Sequence, residues 1–178
     1  MSLPKFDLSE LKLLVVDDCK FMRLVMVEIL NALNCRNILT AVDGADALEA
    51  LQQSLPDIII TDWLMPHLDG IELTRMLRAK THTPEEMIPI IMLTAHTESF
   101  RVAEARDAGV TELLSKPISA KSLYSRLVAV IDQPRPFVRA PNYTGPCRHR
   151  HNSEDHVGPK LRSNDEPSEA ATSTEKMK

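Results

Sequence analysis

The sequence predicts an α/β domain built on a doubly wound, five-stranded parallel sheet. Between Leu11 and about Ile131, short β-rich runs alternate five times with longer segments of helical period, which is the mark of βαβ units. Three of the five runs are nearly continuous in Leu, Ile, Val and Met, as strands covered by helices on both faces must be, which places them in the middle of the sheet.

In order, the expected strands are 12–16, 37–40, 57–61, 89–93 and 112–114. The helices between and after them are expected at 20–33, 45–54, 70–80, 98–108 and 120–131. They carry apolar residues three and four positions apart, as at Leu123, Leu127, Val130 and Ile131. Right-handed crossovers turn such a chain into three layers, helix on sheet on helix, and ligands in this architecture bind at the carboxyl ends of the strands. Chemistry is therefore expected just after each strand.

The length of 178 residues allows one ordinary domain with a sizeable core and a tail. With 43% hydrophobic and 26% charged residues, the composition is that of a soluble globular protein. A net charge of −4 supplies no basic face for nucleic acid, so no direct DNA binding is expected. Apolar runs such as Ile58-Ile59-Ile60 and Ile88 to Leu93 are too short to cross a bilayer, and the N-terminus has no charged-then-apolar leader. The chain is expected in the cytoplasm without membrane insertion. Cys19, Cys35 and Cys147 are odd in number and widely spaced, which points to reduced thiols rather than a disulfide framework or a zinc site.

The organisation expected is a short lead at 1–10, the domain at 11–131 and a tail at 132–178. After Asp132 the prolines at 134, 136, 141, 146, 159 and 167 break any helix, and apolar periodicity stops. From Ser153 to Lys178 the tail is polar and lacks the apolar surface to offset its ordering entropy, so disorder is expected there. The stretch from Arg135 to His151 differs: it combines Phe137 and Tyr143 with a small basic cluster, Arg148 to His151, suited to docking or plain solvation.

The first run ends in Val15-Val16-Asp17-Asp18 and the third in Thr61-Asp62, so the fold brings three carboxylates to one edge. Clustered carboxylates raise one another's pKa values unless a cation neutralises them. A hard divalent ion with oxygen ligands fits, and Mg²⁺ is the usual one where phosphate is handled. Taken alone, Asp17-Asp18 could equally cap the next helix. The fourth run, however, ends in Leu93-Thr94-Ala95 and the fifth in Ser115-Lys116-Pro117. A carboxylate nucleophile, a metal, a hydroxyl and an ammonium group are together what phosphoryl transfer requires, although spacing does not say which Asp is the nucleophile.

These segments resemble the receiver domain of two-component response regulators, a family of flavodoxin-like architecture. The resemblance covers Leu11 to about Ile131 and rests on Val-Val-Asp-Asp, Thr-Asp-Trp-Leu-Met-Pro-His-Leu-Asp-Gly, Leu-Thr-Ala, Ala-Gly-Val and Leu-Leu-Ser-Lys-Pro, in family order. It implies a stand-alone switch with a C-terminal extension. Asp62 would be the phosphoacceptor, and Thr94 and Lys116 would contact the phosphoryl group. Asp18 would ligate Mg²⁺ directly and Asp17 through water, with the Leu64 backbone carbonyl completing the protein ligands. A histidine kinase or histidine phosphotransfer protein would supply the phosphoryl group, and a downstream protein would read the result. Such a chain is not an enzyme on external substrates; it catalyses only its own phosphorylation and dephosphorylation.

The resemblance also implies a cis Lys116-Pro117 bond and turn roles for Gly70 and Gly109, for which helix-boundary glycines are the plainer reading. In many family members a Tyr or Phe stands three residues before the Lys; here that residue is Leu113. Trp63 is expected either over the site or packed against the neighbouring loop, and His67 on a solvent-facing loop.

Three other functions fit the sequence less well. An aspartate-dependent phosphohydrolase shows Asp-x-Asp after its first strand, whereas Asp17 and Asp18 are adjacent and the presumed nucleophile follows the third. A receiver-like module that is never phosphorylated tends to lack a site residue, and none is missing. A flavin carrier needs a Gly/Ser/Thr-rich phosphate loop after the first strand, where this chain has two acids.

Overall fold

Strands β1 (Lys12–Val16), β2 (Asn37–Ala41), β3 (Ile58–Asp62), β4 (Ile90–Thr94) and β5 (Glu112–Ser115) form one parallel sheet in the order β2-β1-β3-β4-β5. The computed structural model describes residues 6–80, 82–95 and 98–148. The chain moves one way from β1 to β2 and the other way from β1 to β3, so a crevice opens between the carboxyl ends of β1 and β3. The three strands expected in the centre are the buried ones, while edge strand β2 is half-exposed.

Helices α1 (Lys20–Ala32), α2 (Gly44–Gln53), α3 (Gly70–Ala79), α4 (Ser99–Ala108) and α5 (Ala120–Asp132) cover both faces. The two-residue side-chain period of the strands sorts the core into layers. Leu13, Val15, Ile58, Ile60, Ile91 and Leu93 point to one face and pack with Met26 and Leu30 of α1 and Leu123 and Leu127 of α5. Leu14, Val16, Ile59 and Ile90 point to the other and meet Ala47 and Leu51 of α2 and Leu73 and Leu77 of α3. Each such side chain, fully buried, contributes about 1.5–3 kcal/mol.

The helix starts are locally encoded. Asp43 accepts from the Asp46 N–H at the start of α2, and reciprocal capping boxes join Asp69 to Glu72 at α3 and Ser119 to Ser122 at α5. At the other end of α4, Gly109 adopts the left-handed conformation, with φ 99°.

Outside the five repeats the structure adds to the sequence reading. Leu8, in the expected lead, is 1% exposed and belongs to the core beneath α1 and α5. A single 3-10 turn at Pro84–Met87 precedes β4. Beyond α5, where proline content pointed to a tail, residues 137–146 form an antiparallel hairpin, β6 (Phe137–Ala140) and β7 (Tyr143–Pro146), closed by Pro141-Asn142. Prolines are tolerated there because a two-stranded ribbon has free edges, where a missing N–H costs no ladder bond. The polar segment expected to be disordered from Ser153, and His149 to His151 of the basic cluster, lie outside the described residues. Among the described residues, no helix is long and apolar enough to cross a membrane.

Candidate functional site at the carboxyl edge of the sheet

The strand-end residues singled out from sequence converge. Asp17 follows β1 directly, Asp62 closes β3, Thr94 closes β4 and Lys116 follows β5. β3 is displaced by one residue from the expected range, so Asp62 lies within the ladder, paired with Leu93, and Thr94 pairs with Ser115. The Asp62 carboxylate and the Thr94 hydroxyl thus leave from adjacent, hydrogen-bonded strands.

Oxygen atoms of Asp17, Asp18 and Asp62 all lie within 4.8 Å of one another. Lys116 reaches in from β5, with its Nζ 2.9 Å from Asp62 Oδ1 and 3.7 Å from Asp17 Oδ2. The Lys116-Pro117 bond is cis. Thr94 is 4% exposed, and Leu64 stands in the loop after β3 with its side chain in solvent.

Burial differs sharply among the acids. Asp18 is exposed and Asp62 half-buried, but Asp17 is 1% exposed. Asp17 Oδ1 accepts from the Cys19 N–H at 2.9 Å, whereas Oδ2 is buried without a hydrogen-bond donor. Burial first, and then the Asp62 and Asp18 carboxylates, push the Asp17 carboxyl above its usual range; the Cys19 N–H and Lys116 act against this. The reading of Asp17-Asp18 as a helix cap does not hold: Cys19 is the N-cap of α1 and makes no side-chain cap bond. A crowded acidic cluster with an orphaned buried oxygen is what a hard divalent cation would complete, and the donor set suits Mg²⁺.

Two further features position the site, and of them only Arg23 went unread in the sequence. Arg23, one turn into α1, donates from Nη1 to the backbone carbonyls of Asp17 at 2.6 Å and Asp18 at 3.1 Å, which fixes the acidic loop from behind. Its only sequence signal is a basic residue soon after two acids, too common to single out. Gly70 is the second. A Cβ there would lie 2.2 Å from the Asp62 backbone oxygen, so close approach, not a positive φ, demands glycine. Gly70→Ala is expected to shift the loop after β3, cost ~1–3 kcal/mol and weaken Mg²⁺ binding. A thermal melt and a Mg²⁺ titration both matching the native chain would show that this loop has slack.

Of the ambiguous residues, Trp63 is 4% exposed and packs with Ile71, Met92, Ala105, Ala108 and Val110. His67 is exposed, with φ 68°. Leu113 is half-buried and lines, with Thr94 and Val102, a groove of about 430 Å³ between α4 and α5.

The comparisons with known proteins agree with this geometry. Residues 13–128 match the family model for the response regulator receiver domain. The chain is 33% identical over 125 residues to chemotaxis protein CheY-3 of Vibrio cholerae, covering 70% of this chain and 95% of that protein. It is 33% identical over 123 residues to chemotaxis protein CheY of Pseudomonas aeruginosa, covering 69% and 98%. Among solved structures, it is similar to a response regulator from Chloroflexus aurantiacus, with TM-score 0.64, 28% identity and coverage of 69% and 98%. It is also similar to the receiver domain of a sensor histidine kinase from Pseudomonas aeruginosa with magnesium in its active site cleft, with TM-score 0.62, 28% identity and coverage of 69% and 98%. A match to the receiver model over most of the chain, together with a doubly wound sheet that gathers acids, hydroxyl and ammonium at one edge, makes this chain a member of the response regulator receiver family, the phosphorylation-dependent switches of two-component signalling.

Proposed function

We propose that Asp62 accepts the phosphoryl group in this chain. The observation that carries this reading is the placement of the Lys116 ammonium group 2.9 Å from Asp62 Oδ1, with Thr94 closing the neighbouring strand. An Asp62 oxygen attacks the phosphorus of a phosphohistidine on a histidine kinase or phosphotransfer protein. The P–N bond breaks as the P–O bond forms, leaving an acyl phosphate on Asp62 and a free imidazole. Lys116 and the Thr94 hydroxyl then contact the transferred oxygens. Asp17, Asp18, Asp62 and the Leu64 carbonyl would hold Mg²⁺, which when bound offsets the negative charge gathered on the phosphoryl oxygens.

The chain catalyses its own phosphorylation and dephosphorylation, acts in the cytoplasm, and signals through changed contacts with a downstream protein. The α4 face suits that contact, since Phe100 is 63% and Val102 41% exposed beside the groove that Thr94 and Leu113 share. Leu113 is smaller than an aromatic ring and has no hydroxyl to hide or expose, so α4 and its preceding loop, rather than position 113, carry the difference between the two states.

Incubating the full chain with a small phosphodonor and Mg²⁺, and following intact mass, tests the reading. The native chain should gain one phosphoryl group and Asp62→Ala none. Equal labelling of the two would place the acceptor elsewhere.

A further inference from the structure

The hairpin β6–β7 has no part in the site just described, yet it is tied to the rest of the molecule more tightly than a tail needs to be. It lies at the amino edge of the sheet, about 13 Å from the carboxyl edge by the rise of a five-residue strand. Its attachments are arginines, each paired with an acid on a different element. Arg139 makes a two-pronged bond to Glu86, in the turn before β4, with Nε to Oε1 and Nη2 to Oε2 both at 2.9 Å; Glu86 is fully buried. Arg135, on the approach to β6, meets Glu112 at the start of β5 at 3.0 Å. Arg148, just past β7, lies 3.6 Å from Asp107 in the last turn of α4.

Between these attachments sits Arg78 of α3, 4% exposed. Its guanidinium donates to the carbonyls of Gly109, Glu86 and Ile88 at 3.1, 2.6 and 2.9 Å, and lies 5.7 Å from the Phe137 ring of β6. Burial pushes its pKa down to about 10, which leaves it charged at neutral pH. The backbones close over it: a Cβ on Gly145 of β7 would lie 3.0 Å from Gly109 Cα, and one on Gly109 would lie 3.2 Å from the Thr144 carbonyl oxygen. The residue that ends α4 is therefore held between α3 and the hairpin.

The two ends of α4 are thus held unequally. The second half buries Ala105 and Ala108 and ends on Gly109. The first half presents Phe100 and Val102 to solvent, and the Arg101 guanidinium lies 5.4 Å from the Trp63 ring. We propose that the hairpin is a built-in clasp which pins the C-terminal end of α4 to α3 at the amino edge and confines rearrangement of α4 to its N-terminal half, near Thr94. The pinning stands on these contacts alone; its use in signalling rests on the phosphorylation reading given above. On this account the folded unit extends past α5 to include the hairpin.

Hydrogen exchange followed by mass spectrometry, on the full chain at rest, tests the clasp. In the native chain, residues 105–110 should exchange more slowly than residues 100–103. In Arg139→Gln, residues 84–88 and 105–110 should exchange about tenfold faster or more, as loss of a buried charged hydrogen-bond pair implies, with β1 and α1 unchanged. Arg135→Gln, in which Glu112 keeps Arg126 at 3.2 Å, is the milder variant and should shift the same residues in the same direction by less. If Arg139→Gln loses protection throughout, Arg135→Gln decides. Native exchange at 105–110 in the variant that stays folded overturns the clasp. With phosphodonor and Mg²⁺ added, the native response should be confined to residues 98–103 and should spread toward 110 in the variants. A native response spread evenly along α4 also overturns it. Absence of phosphoryl uptake by any chain, checked by intact mass, counts against the phosphorylation reading and leaves the clasp to be decided by the resting comparison.

Discussion

Lys116→Met is expected to bind Mg²⁺ about tenfold more tightly than the native chain while becoming less stable without the metal. The ammonium group stands 2.9 Å from Asp62 and 3.7 Å from Asp17, so it serves as counter-ion to the carboxylates that a divalent cation would also use. Two unit charges 4 Å apart interact by ~4 kcal/mol at the effective dielectric of a protein edge. The Lys116 side chain is 25% exposed and can swing outward, so only part of that repulsion is felt by an incoming metal, and about 1.4 kcal/mol, a factor of ten, is the reasonable share. Calorimetric titration with Mg²⁺ and thermal melts with and without chelator read both effects. Weaker Mg²⁺ binding in the variant would mean that Lys116 organises the site rather than competing for it.

Asp17→Asn should do the opposite on both counts. Its carboxyl is buried, held above the ordinary range by burial and by two other carboxylates, and Oδ2 has no hydrogen-bond donor. Burial and the neighbouring carboxylates make its charged form a cost to the metal-free fold. An amide of the same shape keeps an oxygen for the Cys19 N–H and removes the charge. The metal-free variant is expected to gain on the order of 1 kcal/mol, or roughly 3–5 °C in melting temperature for a domain of this size. Its Mg²⁺ affinity should fall about 10–100-fold, the usual loss when an outer partner of a metal is removed. A variant that melts lower than the native chain in chelator would show that Lys116 already compensates the Asp17 charge in full.

How much of this was legible in the sequence divides along a physical line. The five strands and five helices come from hydrophobic period, and each was placed to within a residue or two because each buries its own stripe against the sheet. The site was legible for the same reason: a doubly wound sheet sends the ends of β1, β3, β4 and β5 to one edge, so Asp17, Asp62, Thr94 and Lys116 are neighbours by topology. The hairpin was not. Its apolar content is slight, its prolines read as breakers, and its hold comes from Arg135, Arg139 and Arg148 finding acids between 23 and 53 positions away. No local pattern encodes such pairs. Phe137-Val138 and Tyr143-Thr144 flanking Pro141-Asn142 were the available signal, two short β-prone pairs around a turn.

The single tryptophan offers an optical window onto α4. Trp63 follows Asp62 in sequence, yet its indole is packed against Ala105 and Ala108 of α4 and roofed by the Arg101 guanidinium. Its emission should be that of a dry, rigid chromophore, shifted to the blue and shielded from iodide. A change in that emission during a titration therefore carries any shift of α4 on the sheet, because the indole is packed against that helix.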